Sequence, residues 1–263
     1  MNDPGRSCAL VTGASSGLGW HLSELLVQKG YQLIAVSNET VALNQLRQYL
    51  EEKYARQIVM VEMDLASDSA ARSLFAYCEE RNLHVEVLVN NAGMLVYGEA
   101  IHAQHPDVQS LMQLHMNTPG LLCHLFSEKM VKQGRGFILN VASISAVMPY
   151  PTISFYGPSK TFLRYFTRAI RTELMVHGVH VTCLLPGPMD TNLLDAYHIN
   201  RRLGLTFGIL KRPEQVARSG LRALFRNLPE CIPGFVNKLV IWFVPLVPHS
   251  FILLIYKRSR KVT

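Results

Sequence analysis

Six short apolar runs recur down the first 185 residues, each separated from the next by a stretch of helical periodicity. The runs lie at 8–12, 32–36, 58–61, 85–89, 137–141 and 179–185, and helical patterns fill 18–29, 41–54, 69–80, 108–131 and 155–177. Strands that alternate with helices this regularly must be parallel, because each helix returns the chain to the same edge direction. The sequence therefore predicts an α/β fold: one doubly wound parallel sheet of the Rossmann type, with helices on both faces and an apolar C-terminal extension. Pro119 and Gly120 fall inside the 108–131 stretch, which predicts a kink or an offset start there. No repeat, low-complexity tract or long polar linker interrupts the pattern, so 1–263 reads as a single domain.

Composition narrows the function classes. Apolar residues make up 49% of the 263, with ordinary glycine and proline content, which excludes a disordered or collagen-like chain. The five cysteines, Cys8, Cys78, Cys123, Cys183 and Cys231, are widely spaced and form no CxxC. A disulfide scaffold or structural zinc site is not expected, and a reducing compartment fits. His102/His105 and His177/His180 are i,i+3 pairs without a third ligand suggested by spacing, so no metal site is expected. The net charge of +7 is uneven: residues 1–200 carry net −3 and residues 201–263 carry net +10. A basic quarter of this kind suits an anionic partner or is simply a solvated face.

The first run leads into Thr12-Gly13-Ala14-Ser15-Ser16-Gly17-Leu18-Gly19, with a helical pattern directly after it. Glycines at a strand–helix junction let backbone approach a pyrophosphate, and the free N–H groups of the helix start favour its charge. Gly13, Ser15, Ser16, Gly17, Leu18 and Gly19 are the candidate phosphate-binding residues. The second run ends at Val36-Ser37-Asn38, where an acid commonly binds the adenosine ribose of NAD. None stands here, and Ser37 or Asn38 could hydrogen-bond a 2′-phosphate; this favours NADP, with NAD as the alternative. Asp64-Leu65 closes the third run, where Asp64 either meets the adenine amine or caps the next helix. Asn91-Ala92-Gly93 follows the fourth, small enough to pack against a bound cofactor.

Tyr156 and Lys160 sit four apart in a helical pattern and so share a face. A phenol is a weak acid–base catalyst at neutral pH until a neighbouring ammonium favours its anion. Ser143 lies just past the fifth run, at the carboxyl end of the sheet where open α/β folds bind ligands. Asn117 is an awkward residue for a helix interior; it marks a kink beside Pro119 or holds a water for a proton relay to Lys160.

In this order and spacing, TGASSGLG, NNAG, Asn117, Ser143, Tyr156-Gly157-Pro158-Ser159-Lys160 and Pro186-Gly187 resemble the short-chain dehydrogenase/reductase family over about residues 6–230. The resemblance implies that Tyr156 gives a proton to a carbonyl during reduction. Lys160 would bind the nicotinamide ribose and lower the Tyr156 pKa, Ser143 would orient substrate, and Asn117 would complete the relay. Pro186, Gly187, Met189 and Thr191 would shape the nicotinamide pocket. Within the family, 136–143 and 229–258 look like the branch of very-long-chain 3-oxoacyl and steroid ketone reductases. The Asp-Gly-Gly ending that seals a tetramer in many members is missing, which makes a homodimer the expectation.

The implied activity is NADP-dependent interconversion of a ketone and a secondary alcohol on an apolar lipid, acyl or polycyclic substrate. NAD-dependent alcohol oxidation at the same site, or a non-enzymatic dinucleotide sensor, are the alternatives. Residues 191–212 would form the substrate loop. The tail, 235–263, is apolar and then basic; its uncharged stretch 239–256 is broken by Pro245 and Pro248, so two bent segments are expected rather than a membrane span. They would form a core-docked tail or substrate lid, a dimer contact, or a peripheral membrane anchor through 235–261. Without interleaved stacking aromatics in 201–226, nucleic acid is not an expected partner. The apolar strand starting so near Met1 leaves no room for a leader, so the cytoplasm, or the cytoplasmic face of a membrane, is the expected location.

Overall fold

The computed structural model describes residues 7–147, 150–189 and 210–259. Seven strands form one parallel sheet: β1 (Cys8–Thr12), β2 (Gln32–Ser37), β3 (Val59–Glu62), β4 (Val85–Asn90), β5 (Gly136–Val141), β6 (Val179–Leu184) and β7 (Glu230–Cys231). Their order across the sheet is β3-β2-β1-β4-β5-β6-β7. The chain order reverses between β1 and β4, and ligands bind in the crevice that such a reversal opens at the carboxyl ends of the strands.

The helices are α1 (Gly17–Gln28), α2 (Thr40–Tyr54), α3 (Ala70–Glu80), α4 (His105–Met112), α5 (Thr118–Gln133), α6 (Tyr156–Met175), α7 (Pro213–Phe225), α8 (Phe235–Phe243) and α9 (His249–Ser259). One buried layer joins Leu22 and Leu26 of α1, Leu43 and Leu46 of α2 and Leu221 and Leu224 of α7 to one sheet face. On the other face, Leu74 and Cys78 of α3 pack with Leu122, Phe126 and Met130 of α5. Because both faces are covered, the central strands are buried along their whole length, and they read as mostly apolar runs.

Two features differ from the sequence expectation, and the bent tail agrees with it. A seventh strand forms at Glu230–Cys231, too short between Pro229 and Pro233 to show as an apolar run. It pairs with Cys183 and Leu184 of β6, and the Arg164 guanidinium of α6 holds its Glu230 carboxylate by two hydrogen bonds of 2.8 and 2.9 Å. The 108–131 stretch resolves into α4, a π turn at Gln113–Asn117 and α5. The break falls at that turn, and Pro119 sits in the first turn of α5, where its missing N–H costs nothing. The tail is helical on both sides of its prolines, as two segments bent by 105°. Most of the 191–212 loop, including Thr191, and the last four residues lie outside the described residues.

Candidate active site

At the β1–α1 junction Gly13 has φ +61°, and a Cβ there would lie 2.9 Å from Ala92 Cα. A Cβ on Gly19 would overlap the Gly13 carbonyl oxygen. The turn is therefore closed down to backbone contact and held by its neighbour strand. The Asn91 side-chain amide donates to the carbonyls of Thr12 (2.9 Å) and Gly13 (3.1 Å). Thr12 Oγ1 accepts the N–H groups of Asn91 and Ala92 and donates to the Val89 carbonyl. One strand deeper, Asn90 donates to Asn140 (2.8 Å), which donates to Thr167 (2.9 Å), so β4, β5 and α6 are locked together by buried amides.

A cleft of about 680 Å³ opens above this frame. It is lined by Gly13, Ser16, Gly17 and Leu18 from the turn, Asn91, Ala92 and Gly93 after β4, Tyr156 and Lys160 from α6, and Pro186 and Met189 after β6. Those are eleven of the residues expected from sequence, brought to one place from four separate segments. Ser15 and Ser37 are buried beside it, their hydroxyl oxygens 2.8 Å apart, and Ser37 Oγ also accepts the Glu39 N–H. Asn38 is exposed just beyond. Asp64 is exposed and its Oδ1 accepts the Ala66 N–H at 2.9 Å, while the carbonyl of buried Leu65 accepts the Thr118 hydroxyl. Gly187 packs so tightly on the Asn237 amide of α8 that a Cβ would overlap it.

Lys160 is 4% exposed, donates to the Val141 carbonyl at 3.1 Å and lies 5.7 Å from the centre of the Tyr156 ring. Burial pulls its ammonium down to about 8, because a charge is poorly solvated there. Ser143 Oγ accepts the Ser145 N–H of its own turn, and the adjoining residues Ala142 and Ile144 bond to the carbonyls of Leu184 and Pro186. That ties the ends of β5 and β6 into one rim. Asn117 lies elsewhere: it is exposed, its amide donates to Gln113 Oε1 at 2.8 Å, and it lines a separate concavity with Arg72 and Phe162.

The residue that sequence reasoning missed is His115. It is 1% exposed, stacks edge-on against Tyr156 with centroids 5.5 Å apart, and its Nε2 accepts the Met94 N–H at 3.0 Å. Nδ1 therefore carries the proton and donates to Ser159 Oγ at 2.9 Å, which in turn donates to the Tyr156 carbonyl. Burial, reinforced by Lys160, holds the imidazole well below its ordinary pKa. A signal existed: His115 stands four residues after Leu111 and seven before Leu122, on the apolar stripe of its helical stretch. Between His115, Lys160, Asn90 and Thr12 lies a small cavity of about 10 Å³.

The arrangement suits a nicotinamide dinucleotide. Backbone and the Asn91 amide fill the space that side chains would occupy at Gly13 and Gly19, leaving a cradle of N–H groups at a helix start. His21, on the cleft wall, has a buried Nδ1 without a hydrogen-bond partner among the described residues. Among those residues no cluster of histidine, cysteine and carboxylate side chains could hold a metal ion.

In sequence and fold the chain is similar to known proteins. A very-long-chain 3-oxoacyl-CoA reductase of Phaeosphaeria nodorum is 32% identical over 230 residues, covering 85% of this chain and 65% of its own length. Dehydrogenase/reductase SDR family member 7B of Bos taurus is 28% identical over 96% of this chain and 81% of its own. The chain thus spans just under two thirds of the fungal relative. Among solved structures, a 7β-hydroxysteroid dehydrogenase superposes with a TM-score of 0.82 at 23% identity, covering 91% of each chain. A short-chain dehydrogenase from Sphingobium yanoikuyae in complex with NADPH gives 0.80 at 23%, covering 90% of this chain and 91% of that one. The family model for short chain dehydrogenases matches residues 7–201, from β1 past the Tyr156–Lys160 helix and the end of β6. A match of that extent, on a sheet of this order, makes the chain a member of the short-chain dehydrogenase/reductase family.

Proposed function

We propose that this enzyme interconverts a ketone and a secondary alcohol on an apolar substrate, with NADP as its preferred dinucleotide. The observation that carries the reading is Lys160, buried beneath Tyr156 on the wall of the cleft. A buried cation has few reasons to persist, and stabilising a phenolate is one of them. The residues at the β1–α1 turn, Asn91 to Gly93 and Pro186 to Met189 would hold the dinucleotide. When bound, it supplies or accepts the hydride.

The chain itself manages the proton. The Tyr156 hydroxyl donates to the substrate oxygen during reduction, and the Lys160 ammonium offsets the charge left on the ring. Ser143 Oγ, on the same rim, orients that oxygen. Lys160 is resupplied with a proton through the small cavity beside it, whose volume is at the lower bound for one water. Asn117, exposed and bonded to Gln113, does not face that cavity, so it serves the site only by holding the π turn in shape rather than by carrying the relay. Exclusion of bulk water by the buried wall strengthens each of these interactions.

Two further points support the finer assignment. Ser37 ends β2 where NAD-binding sites commonly carry an acid, so a 2′-phosphate meets no opposing carboxylate at that position. Several relatives are named for long acyl ketones, which supports an apolar substrate. The test is turnover of a panel of ketones, short polar to long apolar, followed by loss of NADPH. Tyr156→Phe should lose roughly 10²- to 10⁴-fold in kcat while NADPH binding is retained. Full activity in that variant rules the mechanism out, and preference for small polar ketones rules out the substrate class.

A further inference from the structure

The two tail helices have opposite faces with different fates. Phe235, Leu239, Trp242, Phe243 and Leu246 follow the spacing of one helical face, and all are exposed, Phe235 and Trp242 at 75%. Asn237 and Ile241, on the other face, are buried. Ile241 packs with Ala142 and Leu185 at the rim of the catalytic cleft, and Asn237 packs on Gly187. The second helix, α9, is fixed by Tyr256, whose hydroxyl donates to Glu99 at 2.6 Å. It exposes Phe251, Leu253 and Leu254, and Ile101 and Tyr97, two residues either side of Glu99, are exposed as well.

Charge says what covers this surface. After Glu230 the sequence contains no acidic residue, while Lys238, Lys257 and Arg258 are exposed on the tail and Arg260 and Lys261 follow them. A large apolar surface that includes an exposed tryptophan, on a tail segment whose only charges are cations, matches the interface of an anionic bilayer. We propose that α8 and α9 dock the enzyme flat on an anionic lipid surface, with the rim of the catalytic cleft held next to the bilayer.

The geometry separates this from a span. Nine and eleven residues give helices of about 14 and 17 Å, against a hydrocarbon core of about 30 Å. No single helix among the described residues is long and apolar enough to cross, and the pair is bent by 105° with both inner faces anchored on the catalytic body. A second copy of the chain is a poor occupant, because a two-fold contact would set this cationic patch against itself with no carboxylate of the tail to compensate.

The test is co-sedimentation of the full chain with phosphatidylcholine vesicles, with and without phosphatidylserine. Binding should require phosphatidylserine. It should fall on the order of tenfold or more in Lys257→Glu/Arg258→Glu, and likewise in Trp242→Ser/Leu246→Ser. Both variants change exposed side chains, and unchanged far-UV circular dichroism verifies their folding. Anionic vesicles should shift tryptophan emission to the blue in the parent but not in Trp242→Phe, which retains Trp20. Equal sedimentation with both lipids, or equal binding by parent and variants, overturns the proposal. A dimer in light scattering that depends on Trp242, without vesicle binding, assigns the face to a second copy and overturns it too. None of these readouts needs turnover, so they stand apart from the ketoreductase reading.

Discussion

His115 Nδ1 and Ser159 Oγ lie 2.9 Å apart directly beneath the Tyr156–Lys160 pair. The tautomer is fixed by the Met94 N–H, which occupies Nε2 and leaves the proton on Nδ1. A neutral imidazole thus braces the first turn of α6, and a charged one would face Lys160 in a buried setting.

That relationship has a sign in pH. The folded imidazole is held well below its ordinary pKa, so as pH falls below about 6.5 the unfolded chain takes up a proton that the folded chain refuses. The stability associated with neutral His115 is complete above that pH and is lost as pH drops toward the folded value. Urea unfolding at pH 7.5 and 5.5 should show a smaller acid loss in His115→Gln than in the parent. His180, also lowered, is present in both proteins and cancels in the difference. An identical acid loss would exclude His115 as the source.

Gly19→Ala places a methyl group on the Gly13 carbonyl oxygen, in a turn already braced by Asn91. The backbone cannot yield without moving the nucleotide cradle. A stability loss of about 1–3 kcal/mol is expected, together with loss of dinucleotide binding. Thermal melting with and without NADPH reads both. A variant still stabilised normally by NADPH would show that the turn does not form the cradle.

The sequence announced this frame because close backbone approach leaves glycines in its wake. All six expected strands lie within a residue of their observed bounds, since strands buried on both faces are mostly apolar. What stayed hidden was held by tertiary context. β7 is two residues long and exists because Arg164 and β6 grip it. His115 belongs to a π turn, which shifts the helical register, so its neighbours could not be deduced from a uniform 3.6 period. The orientation of Asn117 was hidden for the same reason.

Ser37→Asp tests cofactor preference. The new carboxylate could still accept from the Glu39 N–H and the Ser15 hydroxyl, so the fold should tolerate it. A 2′-phosphate beside it would be repelled, and ribose hydroxyls would gain an acceptor. NADPH affinity should fall by at least ~tenfold while NADH affinity rises. Titration of both cofactors by fluorescence decides it; unchanged NADPH affinity would place the 2′-phosphate elsewhere.

At alkaline pH the buried thiols should dominate. Burial pushes Cys78, Cys123 and Cys183 up to about 12 and Cys8 and Cys231 to about 11, from an ordinary 9.0. Above pH 9 the unfolded chain therefore gives up protons that the folded chain keeps. Stability must fall as pH rises from about 9 toward 11, since the folded state then binds the greater number of protons. Lys160 runs the other way: its folded amine deprotonates at about 8, against 10.5 unfolded, and contributes stability that grows between those values. Five groups oppose one, so the net slope is downward. Unfolding in urea under reductant at pH 8 and pH 10 should show that loss, and Lys160→Met should make it steeper by removing the opposing contribution. A protein more stable at pH 10 than at pH 8 would contradict the sign for the thiols. A slope unchanged by Lys160→Met would show that burial does not lower the lysine's pKa.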